Sequence, residues 1–385
     1  MHQTKLKLNS AFLSPNKSAL LELIRELGVD AIIAASPGNF IYAAGAFIMS
    51  VSSLRRYAFA VVPETLEAIA LVATTERKQM LHESWIKDIR TYTEFVNDPA
   101  DALADLLIDI RKDQGTIGIE LDYLPVALHS RLVERLSNVK LVDISRKIAA
   151  IRAVKLPHEI AVLEMAQKRT HQAVLNAIRA SAHDDSERCI GNRIAGCITG
   201  NGADRADIIL GSGPNSCYNH ARASDRVPLK SEIIRLDVSG KFSAWGSDFA
   251  RTYSTGEPTA LQCMTYRKLW DLQTSTINMV RPGMAAEDPF FFCTEQARKL
   301  GLDFEMVWVG HGLGVEAHEF PMIRPGEKAK LEVGMVFSIE PMVTDVEGSM
   351  YQLEDVFVVD EQGPRLLTLG FGPREIPIIG QPIQT

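Results

Sequence analysis

Nowhere does the chain carry a block of Lys and Arg, and its 41 basic residues are outnumbered by 48 acidic ones, for a net charge of −7. Nucleic-acid phosphates demand a basic surface, so that class of partner is excluded, and no charge run points to a membrane surface. Long apolar runs are missing too. No segment reaches the ~20 uncharged residues of a spanning helix, and residues 1–24 carry a few basic groups without a sustained apolar stretch. The expectation is a cytoplasmic protein. Cysteine is scarce and odd in number: Cys189, Cys197, Cys217, Cys263 and Cys293 are scattered without a CxxC spacing. That argues against a disulfide framework or a thiolate zinc site, and for reduced, mostly buried thiols.

Hydrophobic residues, by contrast, make up 46% of the 385. So long a chain buries more than one core, and two domains are expected. In the first, Leu20, Leu23, Ile24 and Leu27 fall at helical spacing and Gly28 stops the helix. Strands over 31–35, 57–62, 68–72, 116–120 and 139–142 alternate with helices over 99–110 and 126–136, which predicts an α/β domain over residues 1–150. A seam follows at 148–157, where Pro157 opens a new helix at its first turn. The second domain, 151–385, begins with that helix and a second one that Ser186 caps.

The next stretch, IIRLDVSGKFSAWGSDFARTY (233–253), reads as two strand arms with Gly240 and Gly246 allowing the turn between them. Paired as a hairpin, the arms bring Asp237 and Asp248 together. Two carboxylates that close repel unless a cation or a shared proton intervenes. Alternatively, one Asp is a turn residue and the other a solvated strand end. The order helix, helix, strands then repeats: helices over 260–280 and 286–300, strands over 336–339 and 352–359. A shift of roughly a hundred residues lays Asp237 near Glu340 and Asp248 near Glu354, which suggests a pseudo-symmetric α+β domain with two strand-borne carboxylates from each half. His311, in the glycine-rich VGHGLGVEAHEFP (309–321), is expected in a turn whose glycines allow close approach to the imidazole. One imidazole with four carboxylates is a donor set suited to paired Mn²⁺, Co²⁺, Fe²⁺ or Zn²⁺.

Taken together and in order, LDVSG, SDFART, GHGLGVEAHEFP, SIEP and LEDVFVV resemble the signature set of the pita-bread metallopeptidases, family M24, the aminopeptidase P and prolidase group. GVDAIIAASPGNFIYAAGA (28–46) is similar to that family's creatinase-type N-terminal domain, and IRAVKLPHEIAVLEMA (151–166) to the start of its inter-domain helix. The resemblance implies Asp237, Asp248, His311, Glu340 and Glu354 as ligands of two divalent ions, Mn²⁺ first and Co²⁺, Zn²⁺ or Fe²⁺ as alternatives. It implies His220 (in GSGPNSCYNH) as the proton-handling histidine, His318 as a substrate-side histidine, and Glu340 as a proton acceptor as well as a ligand. A homodimer built through the N-terminal domains is implied as well.

Chemistry agrees with these roles: paired ions lower the pKa of a bridging water toward ~7 and supply hydroxide at neutral pH. The activity so implied is cleavage of an amide in a small peptide, of the Xaa-Pro dipeptidase or aminopeptidase P kind. Three positions depart from the family pattern. Val307 stands where many members have His, Gln352 where Arg is common and Thr344 where Tyr is frequent. They resemble the lining of the prolyl pocket, so the resemblance speaks for metal more strongly than for proline. Two alternatives stay open: a hydrolase of a small non-peptide amide or amidine, as creatinase is, and a non-catalytic binding module of the same fold.

Overall fold

The structure, a computed structural model, describes residues 14–54 and 56–383; the first thirteen residues of the stretch considered for an export signal lie outside them. After Arg152 the chain divides into two compact units.

In the N-terminal unit α1 (Lys17–Leu27) starts where Asn16 accepts the Ala19 N–H and ends at Gly28, whose φ of 60° closes the last turn. It is followed by β1 (Ala31–Ala34), α2 (Pro37–Ala44), α3 (Met49–Ser53), β2 (Phe59–Pro63), β3 (Ile69–Ala73), α4 (Arg77–Glu83), β4 (Asp88–Tyr92), α5 (Pro99–Asp109), β5 (Gly115–Ile119), α6 (Val126–Arg135), β6 (Val139–Asp143) and α7 (Ser145–Ala153). The strands form one sheet in the order β4-β3-β2-β1-β5-β6. Its outer pairs run parallel, while β2 lies antiparallel to both neighbours. Ile33, Phe59, Val61, Leu71 and Ile117 meet Leu103, Leu107 and Leu132 in its core. Sequence periodicity misses α2 because Gly38 through Ala44 are all buried, and a helix covered all round shows no apolar stripe.

The C-terminal unit is built twice over. Its first half runs α8 (Pro157–Arg179), α9 (Glu187–Gly200), β7 (Arg205–Ser212), β8 (Ile233–Phe242), β9 (Trp245–Gly246) and β10 (Phe249–Ser254). Pro157 stands in the first turn of α8, and Ser186 caps α9 by accepting the Cys189 N–H. The second half runs α10 (Ala260–Asn278), α11 (Asp288–Leu300), β11 (Gly310–Gly312), β12 (Glu319–Ile323), β13 (Val336–Ile339), β14 (Met342–Thr344), β15 (Met350–Gln352), β16 (Asp355–Asp360) and β17 (Gly363–Leu366). Thr259 and Gln262 cap the N-terminus of α10 reciprocally, at 3.2 and 2.8 Å. In the first half the strand order is β10-β8-β7; in the second, β16, β13 and β11 sit side by side in the same order, flanked by β17 and β12. Each half therefore presents two helices and an antiparallel core of three strands, the pseudo-symmetry the sequence suggested. Both sheets are packed on apolar clusters, around Val174, Ile194, Leu236 and Phe249 in one half and Leu269, Leu272, Phe337 and Phe357 in the other.

The thiols correct one expectation. Only Cys293 is buried; Cys189 is exposed and the other three are half-buried. Cys189 and Cys197 flank the stripe Ile190, Gly191, Ile194 and Ile198 that α9 turns to the core, rather than belonging to it.

No helix among the described residues is long and apolar enough to cross a membrane.

Candidate metal centre

Asp237 sits mid-strand on β8, opposite Ala250 on β10 and Ile209 on β7. The other three carboxylates stand one residue outside a strand: Asp248 before β10, Glu340 after β13 and Glu354 before β16. This differs from the expectation that Glu340 and Glu354 lie on strands. The single strand predicted over 352–359 breaks at Leu353 and Glu354, separating β15 from β16. Once out of the ladder, each backbone finds another partner. Glu340 N–H donates to the Val309 carbonyl at 2.9 Å and Glu354 N–H to the Ala250 carbonyl at 3.0 Å, while Asp248 N–H donates to Gln167 Oε1 at 3.3 Å. The Glu354 bond links the second half to the strand opposite Asp237, which brings the carboxylates of both halves to one place.

His311 corrects a second expectation, for it lies within β11 and not in a turn, opposite Ser338 of β13. Its flanking glycines serve the sheet. A Cβ on Gly310 would stand 2.1 Å from the Ser338 carbonyl oxygen, and one on Gly312 2.8 Å from that of Phe320. Backbone crowding against β12 and β13, not access to the ring, requires them.

Donor atoms of Asp248, His311 and Glu354 lie within 4.8 Å of one another; so do those of Asp237, Glu340 and Glu354, and those of His311, His318 and Glu340. Sharing of Glu340, Glu354 and His311 makes these groups one continuous cluster. His311 Nδ1 faces the Gly312 carbonyl at 3.0 Å, so that nitrogen carries a proton. Its Nε2 comes within 2.9 Å of Glu340 Oε1 yet is off any hydrogen-bonding direction, and it is buried. Glu354 takes the Ser338 hydroxyl on Oε1 while its buried Oε2 has no partner. An orphaned ring nitrogen and an orphaned carboxylate oxygen, aimed into a knot of four acids, fit a divalent cation.

The electrostatics say the same. Desolvation first, and then neighbouring carboxylates, push Asp248 and Glu354 well above the usual carboxylate range, and Asp237 to about 6. Burial would lower His311, but the close approach of Glu340 at 2.9 Å, and then the Asp248 charge, outweigh it and raise the ring to about 9. Without a cation the cluster can hold itself together only by keeping protons.

A cavity of about 190 Å³ opens on the cluster, lined by Asp237, Asp248, Glu340, His220, His318 and Trp308 among others. Both His220 and His318 are exposed to it. The His318 ring lies 4.1 Å from that of His311 and 5.7 Å from Trp308, and burial together with the His311 charge holds its pKa below the ordinary value. A neighbouring cavity of about 340 Å³ shares Asn219, Trp308 and Met342 with the first and is walled by Met306, Val307, Thr344 and Met350. Gln352 is buried between Asp237 and Glu340, donating to each at 3.1 Å. Sequence reading did not single out Arg235, although its parity with Asp237 on β8 was visible. Alternation puts Arg235 on the polar face of β8 with Asp237, so nothing local signalled its burial.

The sequence model of metallopeptidase family M24 matches residues 161–361, and that of the creatinase/prolidase N-terminal domain matches residues 17–154. An Xaa-Pro dipeptidase of Pyrococcus furiosus is 26% identical over 353 residues, covering 91% of this chain and 96% of its own length. Among solved structures, prolidase from Pyrococcus furiosus superposes with a TM-score of 0.79 at 25% identity, covering 91% of this chain and 99% of its own. X-Pro aminopeptidase from Thermotoga maritima has the same fold, with a TM-score of 0.83 at 24% identity over 94% of this chain and 99% of its own.

Proposed function

The chain belongs to metallopeptidase family M24, with the pita-bread architecture of its solved relatives, and from that premise we propose that it is a dinuclear metal-dependent hydrolase that cleaves an amide bond in a small peptide, in the manner of an Xaa-Pro dipeptidase or aminopeptidase P. One observation carries the reading. Five residues from five separate strands and strand ends, Asp237, Asp248, His311, Glu340 and Glu354, converge with donor atoms in groups no wider than 4.8 Å. Neither fold stability nor solubility needs such a cluster, since each added carboxylate raises the cost of ionising the rest.

In this reading those five residues hold two divalent ions, Mn²⁺ first among them, because an oxygen-rich set with one imidazole is too large and too anionic for a single tetrahedral zinc. When bound, such a pair supplies Lewis acidity and a water acidic enough to attack as hydroxide near pH 7. The protein's own groups do the rest. Glu340, at the cavity wall beside His311, accepts the proton that the water gives up. His318, kept neutral near pH 7 by its surroundings, donates a hydrogen bond to the scissile carbonyl oxygen as negative charge develops there. His220, which also lines the cavity, delivers a proton to the leaving nitrogen. The Trp308 ring meets the His318 ring edge-on, which limits the orientations open to that imidazole.

A non-catalytic module is the poorer account, because it gives no reason to retain all five donors. The test is elemental analysis of protein reconstituted with Mn²⁺ or Co²⁺, alongside hydrolysis of a peptide panel. Two ions per chain and metal-dependent cleavage are expected. Protein that takes up no ion and cleaves nothing would remove the proposal.

A further inference from the structure

Arg235 is 1% exposed, two residues before Asp237 on β8 and on the same face of the strand. A guanidinium so buried is costly unless every donor is used. Among the described residues it pairs with no carboxylate. Its donors go instead to neutral oxygens: Nε to the Ser216 carbonyl at 2.8 Å, Nη2 to the carbonyls of Tyr218 and of Asn219 (3.0 Å for the latter), and Nη1 to Gln352 Oε1 at 2.7 Å, with the Met342 sulfur at 3.9 Å.

These acceptors fall into two sets. Ser216, Tyr218 and Asn219 belong to the segment that leads directly into His220. Gln352 is the residue wedged between Asp237 and Glu340. With its oxygen taken by Arg235, its amide nitrogen can only turn the other way, where it donates to Asp237 Oδ2 and Glu340 Oε2. A flipped amide would set its oxygen against two carboxylates and its NH₂ against the guanidinium, and would lose every one of these bonds.

We propose that Arg235 is a positioning residue that sets two parts of the site at once: the amide of Gln352 against the ligands Asp237 and Glu340, and the segment that presents His220 to the cavity. Arg235 reaches the cavity wall, but among the described residues it makes no hydrogen bond or ion pair with the five ligand side chains. It acts through what it holds; its Co²⁺ readout rests on the metal centre proposed above and its activity readout on the hydrolase reading.

The test titrates metal-free protein with Co²⁺, followed by visible absorption, and measures kcat and KM on a cleaved peptide. The variants are R235M, R235K, Q352L and the exchange R235L/Q352R, with circular dichroism to check folding. R235M and Q352L are each expected to bind Co²⁺ about 10–100-fold more weakly, the usual cost of removing a group that orients metal ligands. At saturating Co²⁺, kcat should fall further in R235M than in Q352L, because only Arg235 also holds the His220 segment. R235K, which keeps the charge but not the planar fork, should resemble R235M. Returning a guanidinium to the same space from β15 in R235L/Q352R should recover Co²⁺ affinity but not kcat. Folded R235M with Co²⁺ affinity and kcat both within threefold of wild type overturns the proposal. If R235M does not fold, wild-type affinity in both Q352L and R235K overturns it instead. Absence of Co²⁺ uptake by the wild-type chain would count against the metal centre itself, a different failure.

Discussion

The imidazole of His311 is anchored by one nitrogen and left open at the other: Nδ1 meets the Gly312 carbonyl at 3.0 Å, while Nε2 stands 2.9 Å from Glu340 Oε1 without a hydrogen bond. In the metal-free chain this ring holds a proton up to about pH 9, and Asp237 holds one up to about 6. A cation competes for both places. Metal uptake at pH 7 should therefore release at least about one proton per centre, and affinity should climb as pH rises from 6 toward 9. Calorimetric titration with Mn²⁺ in buffers of different ionisation heat reads the release directly. Heats that do not depend on the buffer would contradict the assignment.

Asp237→Asn is expected to lower the metal content below two ions per chain and to abolish hydrolysis while leaving the fold intact. The sign of its effect on stability is informative. Desolvation and then Glu340 raise Asp237 to about 6, so above that pH its charge opposes folding of the metal-free chain. Removing the charge should leave the metal-free melting temperature at pH 8 equal to or above that of wild type, and should cancel much of the stabilisation that added Co²⁺ gives. Scanning calorimetry with and without Co²⁺ measures both. A metal-free variant that melts well below wild type would make Asp237 a packing residue.

His220→Ala should keep its metals and lose at least ~10²-fold in kcat, the lower range for a general acid. Its exposure to the cavity already rules out a satisfied core histidine. His318→Ala separates two roles: a rise in KM at constant kcat marks substrate binding, and an equal fall in kcat and kcat/KM marks an interaction made in the transition state. Stopped kinetics on metal-saturated protein supply the numbers. Loss of less than threefold in kcat for His220→Ala would take that residue out of the chemistry.

The sequence made several elements visible for a simple reason. Strand alternation at 233–238, the glycine stop at Gly28 and the caps at Ser186 and Pro157 are local signals, and each acts where it was read. What stayed hidden depends on distant partners. Glu354 leaves its strand because its N–H bonds to Ala250, more than a hundred residues earlier. Gly310 and Gly312 look like turn glycines until Ser338 and Phe320 crowd them. Arg235 alternates with apolar neighbours on β8 as Asp237 does, and only the folded chain shows which carbonyls it binds. The eight-residue β7, irregular in pattern, and the short strands β11, β12, β14 and β17 were not anticipated either.

Acid should weaken the C-terminal unit through His171. This ring is buried against Phe249, 4.3 Å away, and accepts the Leu369 N–H on Nδ1, an arrangement open only to neutral imidazole. Burial, and then the Arg251 charge, depress its pKa to about 3. The unfolded chain takes up this proton below ~6.5 and the folded chain does not. The stabilisation is thus complete above pH 6.5 and drains away as pH falls toward 3, at up to about 1.4 kcal/mol per pH unit. His171→Asn keeps an acceptor for Leu369 and removes the titration. Urea midpoints of metal-free protein at pH 7.5 and pH 5 should fall less in the variant than in wild type; equal falls would falsify the role.

The last prediction concerns the substrate. Gln352 gives both N–H groups of its amide to Asp237 and Glu340 and accepts from Arg235, so it has no donor left for a ligand. Val307, 73% exposed at the rim of the 340 Å³ cavity, and the neighbouring methionines Met306, Met342 and Met350 offer no strong donor. Thr344 contributes a hydroxyl and Asn219 an amide, while Asp303 and Glu305 add carboxylates, which accept hydrogen bonds and repel a peptide carboxylate. A peptide carboxylate or carbonyl buried there without a partner costs roughly 1–3 kcal/mol per group, or about 5- to 150-fold in kcat/KM at 1.4 kcal/mol per decade. A flexible methionine wall suits an apolar side chain of variable shape better than a rigid proline ring. Xaa-Pro dipeptides and tripeptides should therefore be cleaved slowly, with another small amide turned over better. The comparison is a panel of Xaa-Pro peptides, Xaa-Ala peptides and cyclic or amidine-type amides with Mn²⁺ present. If Xaa-Pro peptides win by more than a hundredfold, the wall formed by Val307, Thr344 and Gln352 does not decide specificity, and a prolidase-like preference holds in its presence.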